Sequence, residues 1–208
     1  MARGNKALVN KTRLEAFTDG VMAIIITIMV LEIKVPHGPS FSELGPLLPK
    51  FLSYVLSFVY VGIYWNNHHH TLQATKSVNG LILWANLHLL FWLSLFPFTT
   101  GWVGENHFAK PPMLVYGANL FLAAIAYYLF SRALVVHHGP HSALSNAFGR
   151  DIKGKISMGL YLLGIGLTFV SAWLGFAIYT VVALMWLVPD KRMTQAMQDV
   201  HHPAGNSG

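Results

Sequence analysis

The stretch RLEAFTDGVMAIIITIMVLEI, residues 13–33, decides the fold. Charged side chains stand at its start, at Arg13, Glu15 and Asp19, and a long uncharged run follows them. Such a run is typical of a helix that crosses a lipid bilayer. Two features need an explanation: the carboxylate of Asp19 beside the membrane, and the single hydroxyl of Thr27 among apolar side chains.

The composition of the whole chain agrees with this segment. Of 208 residues, 54% are hydrophobic and only 11% are charged, whereas a soluble domain carries about 25% charged residues. A soluble fold of this size could not bury so much apolar surface, so the composition indicates an integral membrane protein. The net charge of +6 favours basic cytoplasmic loops over nucleic-acid binding. The absence of cysteine excludes disulfides, thiolate metal sites and thiol catalysis.

Six apolar segments follow one another along the chain. They are about 17–35, 47–67, 78–100 and 112–135, and the two parts of the stretch 156–188. That last stretch exceeds one span of about 20 residues and divides at a small-residue break between Ser171 and Gly175. We therefore predict an all-α, polytopic membrane protein with six transmembrane helices. Residues 1–190 form its single domain and residues 191–208 a cytoplasmic tail.

The segments are joined by short polar connections. We expect proline- and glycine-rich loops at 35–46 and 104–112, a polar turn at 68–77 and a long basic loop at 137–155. No apolar stretch precedes Arg13, so no secretory signal peptide is expected. The final residues, AGNSG, are set aside as a remnant of an expression vector.

The distribution of lysine and arginine predicts that both termini are cytoplasmic. Six spans place eleven of the fourteen basic side chains inside and three outside. The inside set is Arg3, Lys6, Lys11, Arg13, Lys76, Arg132, Arg150, Lys153, Lys155, Lys191 and Arg192. The outside set is Lys34, Lys50 and Lys110.

A helical wheel of the first segment separates two faces at about 100° per residue. One stripe holds Arg13, Phe17, Gly20, Ile24, Thr27, Ile28 and Leu31. Thr18 and Asp19 point away from it. The stripe has two interpretations: it lines a pore, which can be gated by a hydrophobic constriction, or it faces lipid or another helix.

Asp19 needs a partner, because an unpaired carboxylate is costly beside a membrane. Side chains of the right kind occur near the end of the second segment and within the third. They are Trp65, Asn66, Asn67, His68, Trp84, Asn86 and His88. Either these form a polar network that fixes the first helix, or Asp19 is an interfacial anchor that reaches water. Arg13 could pair with a carboxylate or cap a neighbouring helix.

The run from Arg13 to Gly20 resembles the R-x-x-x-F-S-D signature of the transmembrane protein 175 family. This family comprises the lysosomal and endosomal potassium channel of animals and its shorter bacterial relatives. The resemblance continues through residues 21–36, with support from YWNNHHH at 64–70 and LHLLFWLSLFPF at 87–98. One departure is Thr18 in place of serine, whose hydroxyl can form the same hydrogen bond.

The resemblance implies a potassium-permeable, potassium-selective homotetramer in the bacterial inner membrane. The first helix of each subunit would line a central pore, and no TVGYG filter is present. By position after the signature, the pore-lining and selectivity residues are Ile24, Thr27, Ile28 and Leu31, with potassium held near Thr27. The signature residues Arg13, Phe17, Thr18 and Asp19 would bind the first helix to Trp65, Asn66 and His88.

The implied partners are other copies of the chain, the lipid bilayer and monovalent cations, with no nucleic acid. No cofactor is expected besides permeant potassium. Glu32 has two interpretations: it draws cations to the outer mouth, or it pairs with Lys34 at the interface.

Other functional classes have weaker support. A secondary transporter or proton-coupled permease would use Asp19 and His88 as a titrating relay, and a structural membrane protein would transport nothing. No glycine-rich phosphate loop, H-E-x-x-H or G-x-S-x-G motif occurs, so no enzyme is expected. Haem needs histidines on facing helices. Only His88 lies mid-span, His68 lies at the end of a span, and the remaining histidines are assigned to loops or the tail.

Overall fold

The computed structural model describes residues 11–140, 142–148 and 151–188. Eight α-helices occur in this part of the chain, and a short 3₁₀ helix, Phe41–Leu47, precedes the second of them. They are α1 Lys11–Leu31, α2 Leu48–Gln73, α3 Gly80–Ser94, α4 Phe96–Glu105, α5 Lys110–His138, α6 Ala143–Phe148, α7 Ile152–Val170 and α8 Ala172–Leu187. The predicted tail, residues 191–208, lies outside the described residues.

The helices have the lengths that a bilayer requires. Among the described residues, four helical stretches are long and apolar enough to cross a membrane: Lys11–Leu31, Phe41–Gln73, Gly80–Glu105 and Lys110–His138. The hairpin of α7 and α8 completes the six-segment unit and is divided at Ser171, whose backbone is extended (φ −149°, ψ 131°). The predicted all-α, polytopic fold is confirmed, and so is the predicted break.

Local capping explains several helix ends. The side chain of Asn79 accepts a hydrogen bond from the N–H of Ile82 at 3.0 Å, which begins α3. Asp151 accepts from the N–H of Gly154 at 2.9 Å and begins α7 in the same way. Gly139 closes α5 at φ 86°, a positive value that glycine adopts without a Cβ penalty.

The predicted polar turn at 68–77 is wrong over its first half, because α2 continues to Gln73. Tertiary contacts hold this last part of α2. The ring of His68 stacks on Phe130 of α5 with centroids 5.0 Å apart, and the hydroxyl of Thr71 lies 3.0 Å from that of Tyr127 on the same helix. The three histidines at 68–70 are therefore helical and not in a loop.

Two further boundaries differ from the prediction. His137 and His138 are the last residues of α5 rather than part of a loop. The third segment is two helices, α3 and α4, which meet at Leu95. Pro97 explains this break, because it has no N–H to donate to the carbonyl four residues earlier.

Close helix packing centres on Tyr179 of α8, which is fully buried. A Cβ at Gly164 of α7 would lie 2.5 Å from its ring, and one at Gly117 of α5 would collide with its hydroxyl. These two glycines therefore let α5 and α7 approach α8 closely, as small residues do between membrane helices.

The first helix packs through one face only. Its buried side chains lie three or four residues apart and face α2, α3 and α4. They are Leu14, Thr18, Met22, Ile25 and Met29. This arrangement leaves the opposite stripe of α1 outside the packed interior.

Candidate pore-lining helix and its polar support

The predicted stripe of α1 is uncovered in the single chain. Ile24 is 58% exposed, Ile28 43% and Leu31 76%, and Thr27 is exposed as well. On the opposite face Met22 and Met29 are each 1% exposed. One helix therefore presents a packed face to its own subunit and a continuous, almost wholly apolar face outward.

Thr27 supplies the one side-chain hydroxyl of the outward stretch between Ile24 and Leu31. Its Oγ1 donates to the backbone carbonyl of Ile24 at 2.9 Å. Because the hydroxyl hydrogen points back along the helix, the oxygen lone pairs remain available as acceptors. An oxygen of this kind can contact a cation.

Thr18, the residue that departs from the signature, begins a buried chain of hydrogen bonds. Its Oγ1 accepts from Nδ2 of Asn86 at 2.9 Å, and Oδ1 of Asn86 lies 2.7 Å from Nε2 of His68. Thr18 and Asn86 are each 0% exposed, and His68 is 1% exposed. The chain joins α1 to α3 and α2, and it gives His68 a proton on Nε2, because the amide oxygen of Asn86 can only accept.

Asp19 lies on an adjacent face and has a separate partner. Nε1 of Trp65 donates to its Oδ1 at 3.0 Å, and the Trp65 ring stacks on His69 with centroids 5.7 Å apart. One turn earlier on α1, Glu15 lies 3.2 Å from Nδ1 of His69. The polar residues of α1 thus contact α2 at successive turns.

A third contact, just beyond the end of α2, extends this series, which we call the α1–α2 polar ladder: Lys11 with Thr75, Glu15 with His69, and Asp19 with Trp65. Nζ of Lys11 donates to the carbonyl of Thr75 at 3.0 Å. No contact with the second segment was predicted for Lys11 or Glu15, and His69 was not among the predicted partners. The available signal was the four-residue spacing of Lys11, Glu15 and Asp19, which places them on one helical face.

Other predicted site residues lie elsewhere. Arg13 is exposed, Phe17 is 54% exposed, and Asn66 is exposed on α2. His88 is exposed on α3, where its Nε2 accepts from Nε1 of Trp92 at 3.0 Å. Within the described residues, no hydrogen bond or ion pair joins His88 to Asp19.

Glu32 is exposed one residue beyond α1, next to the open stripe. A Cβ at Gly101 of α4 would lie 3.6 Å from its carboxylate. The described ion pairs do not join it to Lys34; the nearby ion pair joins Lys50 to Glu105 at 3.1 Å. Of its two interpretations, the structure therefore does not support the lysine pair. No group of three or more His, Asp or Glu side chains in the described residues is placed to hold a metal.

Several bilayer-length helices packed around a hydrophobic core define the class of protein, a polytopic α-helical membrane protein. Residues 13–97 match the family described as "Endosomal/lysosomal potassium channel TMEM175". The chain is 53% identical over 189 residues to "Potassium channel HX13_20290" of Chryseobacterium sp. (strain P1-3), covering 91% of this chain and 98% of that protein. It is 33% identical over 185 residues to "Potassium channel B446_29190" of Streptomyces collinus, covering 84% and 90%.

The fold also matches a solved relative. A crystal structure of a lysosomal potassium-selective channel TMEM175 homolog from Chamaesiphon minutus superposes with a TM-score of 0.76, at 29% identity, over 86% of this chain and 96% of that one. The chain belongs to the TMEM175 family of ion channels. Its class is therefore that of a channel and not of an enzyme.

Proposed function

We propose that four copies of this chain assemble as a potassium-permeable, potassium-selective channel of the bacterial inner membrane, with α1 of each subunit lining the pore. The observation that carries the proposal is the asymmetry of α1. Hydrogen bonds of Thr18 and Asp19 hold this helix against α3 and α2. The side chains of Ile24, Thr27 and Leu31 are left uncovered.

A single helix cannot enclose a conduit, so the uncovered stripe needs other copies around a common axis. Fourfold symmetry would convert each outward side chain into a ring. A ring of Thr27 oxygens would replace part of the hydration shell of a cation, which is the role that carbonyl oxygens play in other potassium channels. Rings of Ile24 and Leu31 offer no ligand and would restrict hydrated ions or exclude water.

Potassium is the proposed ion because the bacterial relatives are named potassium channels and the Chamaesiphon homolog is described as potassium-selective. Both termini are proposed to be cytoplasmic, from the distribution of lysine and arginine. This orientation puts Ile24 on the cytoplasmic side of Thr27 and Leu31 on the outer side.

The absence of cysteine makes accessibility mapping a direct test. Ile24→Cys, Thr27→Cys and Leu31→Cys are expressed one at a time, and currents are recorded in bilayers before and after a charged thiol reagent. We expect block at all three positions. The matched control is Ile25→Cys, because Ile25 is 3% exposed in the same helix and should not react.

The assembly is tested on the same purified protein by native mass spectrometry, where a mass of four chains is expected. Unblocked currents at all three outward positions, or a monomeric mass in a conducting preparation, would overturn the proposal. The recordings also separate a channel from the alternative transporter using Asp19 and His88. A transporter would give slow, saturable, pH-coupled flux with no unitary currents.

A further inference from the structure

An aromatic cavity lies inside the subunit, away from α1. It has a volume of about 40 Å³ and lies between α2, α5, α7 and α8. Six aromatic side chains line it: Tyr60, Tyr64, Tyr127, Tyr128, Tyr161 and Trp186. Since a single water needs roughly 10–15 Å³ by such a measure, the cavity has room for about three or four heavy atoms.

Several hydrogen-bond donors of this cavity are already used within the protein. The hydroxyl of Tyr60 donates to the carbonyl of Tyr179. Thr71 uses its hydrogen on the carbonyl of Asn67, so the contact of 3.0 Å between Thr71 and Tyr127 requires Tyr127 to donate. The indole of Trp186 donates to Ser157 at 2.8 Å.

The same holds for the polar groups beside the rings. Ser157 donates to the carbonyl of Lys153 at 2.8 Å, and the amide of Asn67 donates to the carbonyl of Ile63 at 2.9 Å. Besides these engaged groups, the lining consists mainly of aromatic faces and oxygen lone pairs. Both carry negative electrostatic potential.

A carboxylate completes this environment. Asp151 lines the cavity and folds over Gly154, where a Cβ would collide with it. None of the described lining residues is basic. Nζ of the neighbouring Lys153 lies 4.8 Å from the centre of the Trp186 ring and donates to the carbonyl of Val188 at the end of α8.

We propose that this cavity binds a small quaternary ammonium group, the trimethylammonium head of a choline-type molecule. Such a group has four heavy atoms, which matches the size of the cavity. It has no hydrogen-bond donor, so it binds through aromatic faces and a nearby negative charge. Asp151 supplies the charge and the tyrosine rings supply the faces. The site is complete within one subunit and does not depend on the proposed pore.

The test is binding of radiolabelled choline to the purified, full-length protein in detergent. We expect its neutral isostere, 3,3-dimethyl-1-butanol, to compete at least about tenfold more weakly than unlabelled choline, because only the charge differs. Equal competition by the two molecules would overturn the proposal.

Two pairs of variants locate the site. Asp151→Asn keeps an acceptor for the N–H of Gly154, so it preserves the cap while weakening choline at least about fivefold through the lost charge. Glu43→Gln removes an exposed carboxylate outside the cavity and should bind like the wild type. Tyr128→Phe should retain binding and Tyr128→Leu should lose it, because only the first keeps the ring.

The result that contradicts the site is wild-type affinity in both Asp151→Asn and Tyr128→Leu. Loss of binding in Thr27→Val with full binding in Asp151→Asn would place choline in the pore and overturn the cavity assignment. The occupant is identified by repeating the assay in nanodiscs. Weaker apparent choline affinity in phosphatidylcholine than in phosphatidylethanolamine discs, which have the same net charge, assigns a lipid headgroup, and equal affinity assigns a free cation.

Discussion

The hydroxyl of Thr27 donates to the backbone carbonyl of Ile24 at 2.9 Å on the uncovered face of α1. This bond fixes where the oxygen points, since a threonine in a helix has few rotamers available. Four such oxygens around an axis would form a ring of acceptors with Ile24 and Leu31 on either side. In the proposed tetramer, position 27 would therefore act on an ion through an oxygen ligand, and not only through the width of the pore.

Replacing Thr27 with valine tests this directly. Valine has nearly the same shape but no oxygen, so Thr27→Val removes the ligands and leaves the width of the helix face unchanged. We expect the potassium-over-sodium permeability ratio to fall by about tenfold, the equivalent of one good hydrogen bond or ion ligand. The measurement is the reversal potential under bi-ionic conditions in a planar bilayer.

Thr27→Ser is the matched control for that experiment, because it keeps the oxygen and the same backbone acceptor. It should keep the wild-type permeability ratio. If valine and serine at position 27 give the same ratio as threonine, the hydroxyl has no role in selectivity.

Leu31 should affect the hydration of the pore, and therefore its conductance, rather than its ion selectivity. It is 76% exposed and apolar, and a ring of such side chains obstructs ions by excluding water. Leu31→Asn should raise the single-channel conductance several-fold while the permeability ratio changes little. The control is Val35→Asn, beyond the end of α1, where unitary conductance should not change.

A buried hydrogen-bond chain predicts a stability effect. Asn86 joins Thr18 to His68 and is 0% exposed. Asn86→Leu removes the hydrogen-bond partner of the buried side chains of Thr18 and His68. This costs at most about 1–3 kcal/mol per group, and less if these groups find other partners in the unfolded, membrane-embedded state. We expect a clear drop in the midpoint of thermal unfolding, followed by tryptophan fluorescence in detergent.

Thr18→Ser separates the hydrogen bond from the bulk of the side chain. The serine hydroxyl can still accept from Asn86, so this variant should unfold near the wild-type midpoint, whereas Thr18→Val should not. Equal midpoints for the serine and valine variants would mean that the bond to Asn86 contributes nothing measurable.

The fold was predictable to the extent that its signals were local. Apolar length indicated the spans, and the excess length of the stretch 156–188 required the break that lies at Ser171. The break at Leu95 had a local signal in Pro97, but proline is tolerated within membrane helices and the run stayed apolar across it. The continuation of α2 through the histidines had no local signal, because Phe130 and Asn86 stabilise it from other helices.

In the candidate site, too, the local features were predictable from the sequence and the contacts between helices were not. The wheel of α1 predicted which side chains point away from Thr18 and Asp19, and those side chains are uncovered. The need of Asp19 for a donor was evident from its charge, but the choice among Trp65, Asn66 and His88 depends on how α1 crosses α2 and α3. That crossing is set by packing, so the sequence could name the candidates and not select Trp65.

The contact between Asp19 and Trp65 gives the last prediction. Trp65 is 44% exposed, so solvent screens the carboxylate, and the bond contributes about 0.5–1 kcal/mol. Its larger effect should be on the orientation of α1, because the polar ladder holds this helix against α2 on a face different from that of Thr27. Trp65→Phe keeps the aromatic ring that stacks on His69 and removes only the N–H. We expect a small drop in unfolding midpoint together with more frequent brief closures in single-channel records.

Asp19→Asn is the matched variant, since its amide oxygen still accepts from Trp65, and its closures should resemble the wild type. Equal closure rates in Trp65→Phe and the wild type would show that Asp19 needs no donor to hold α1 in place.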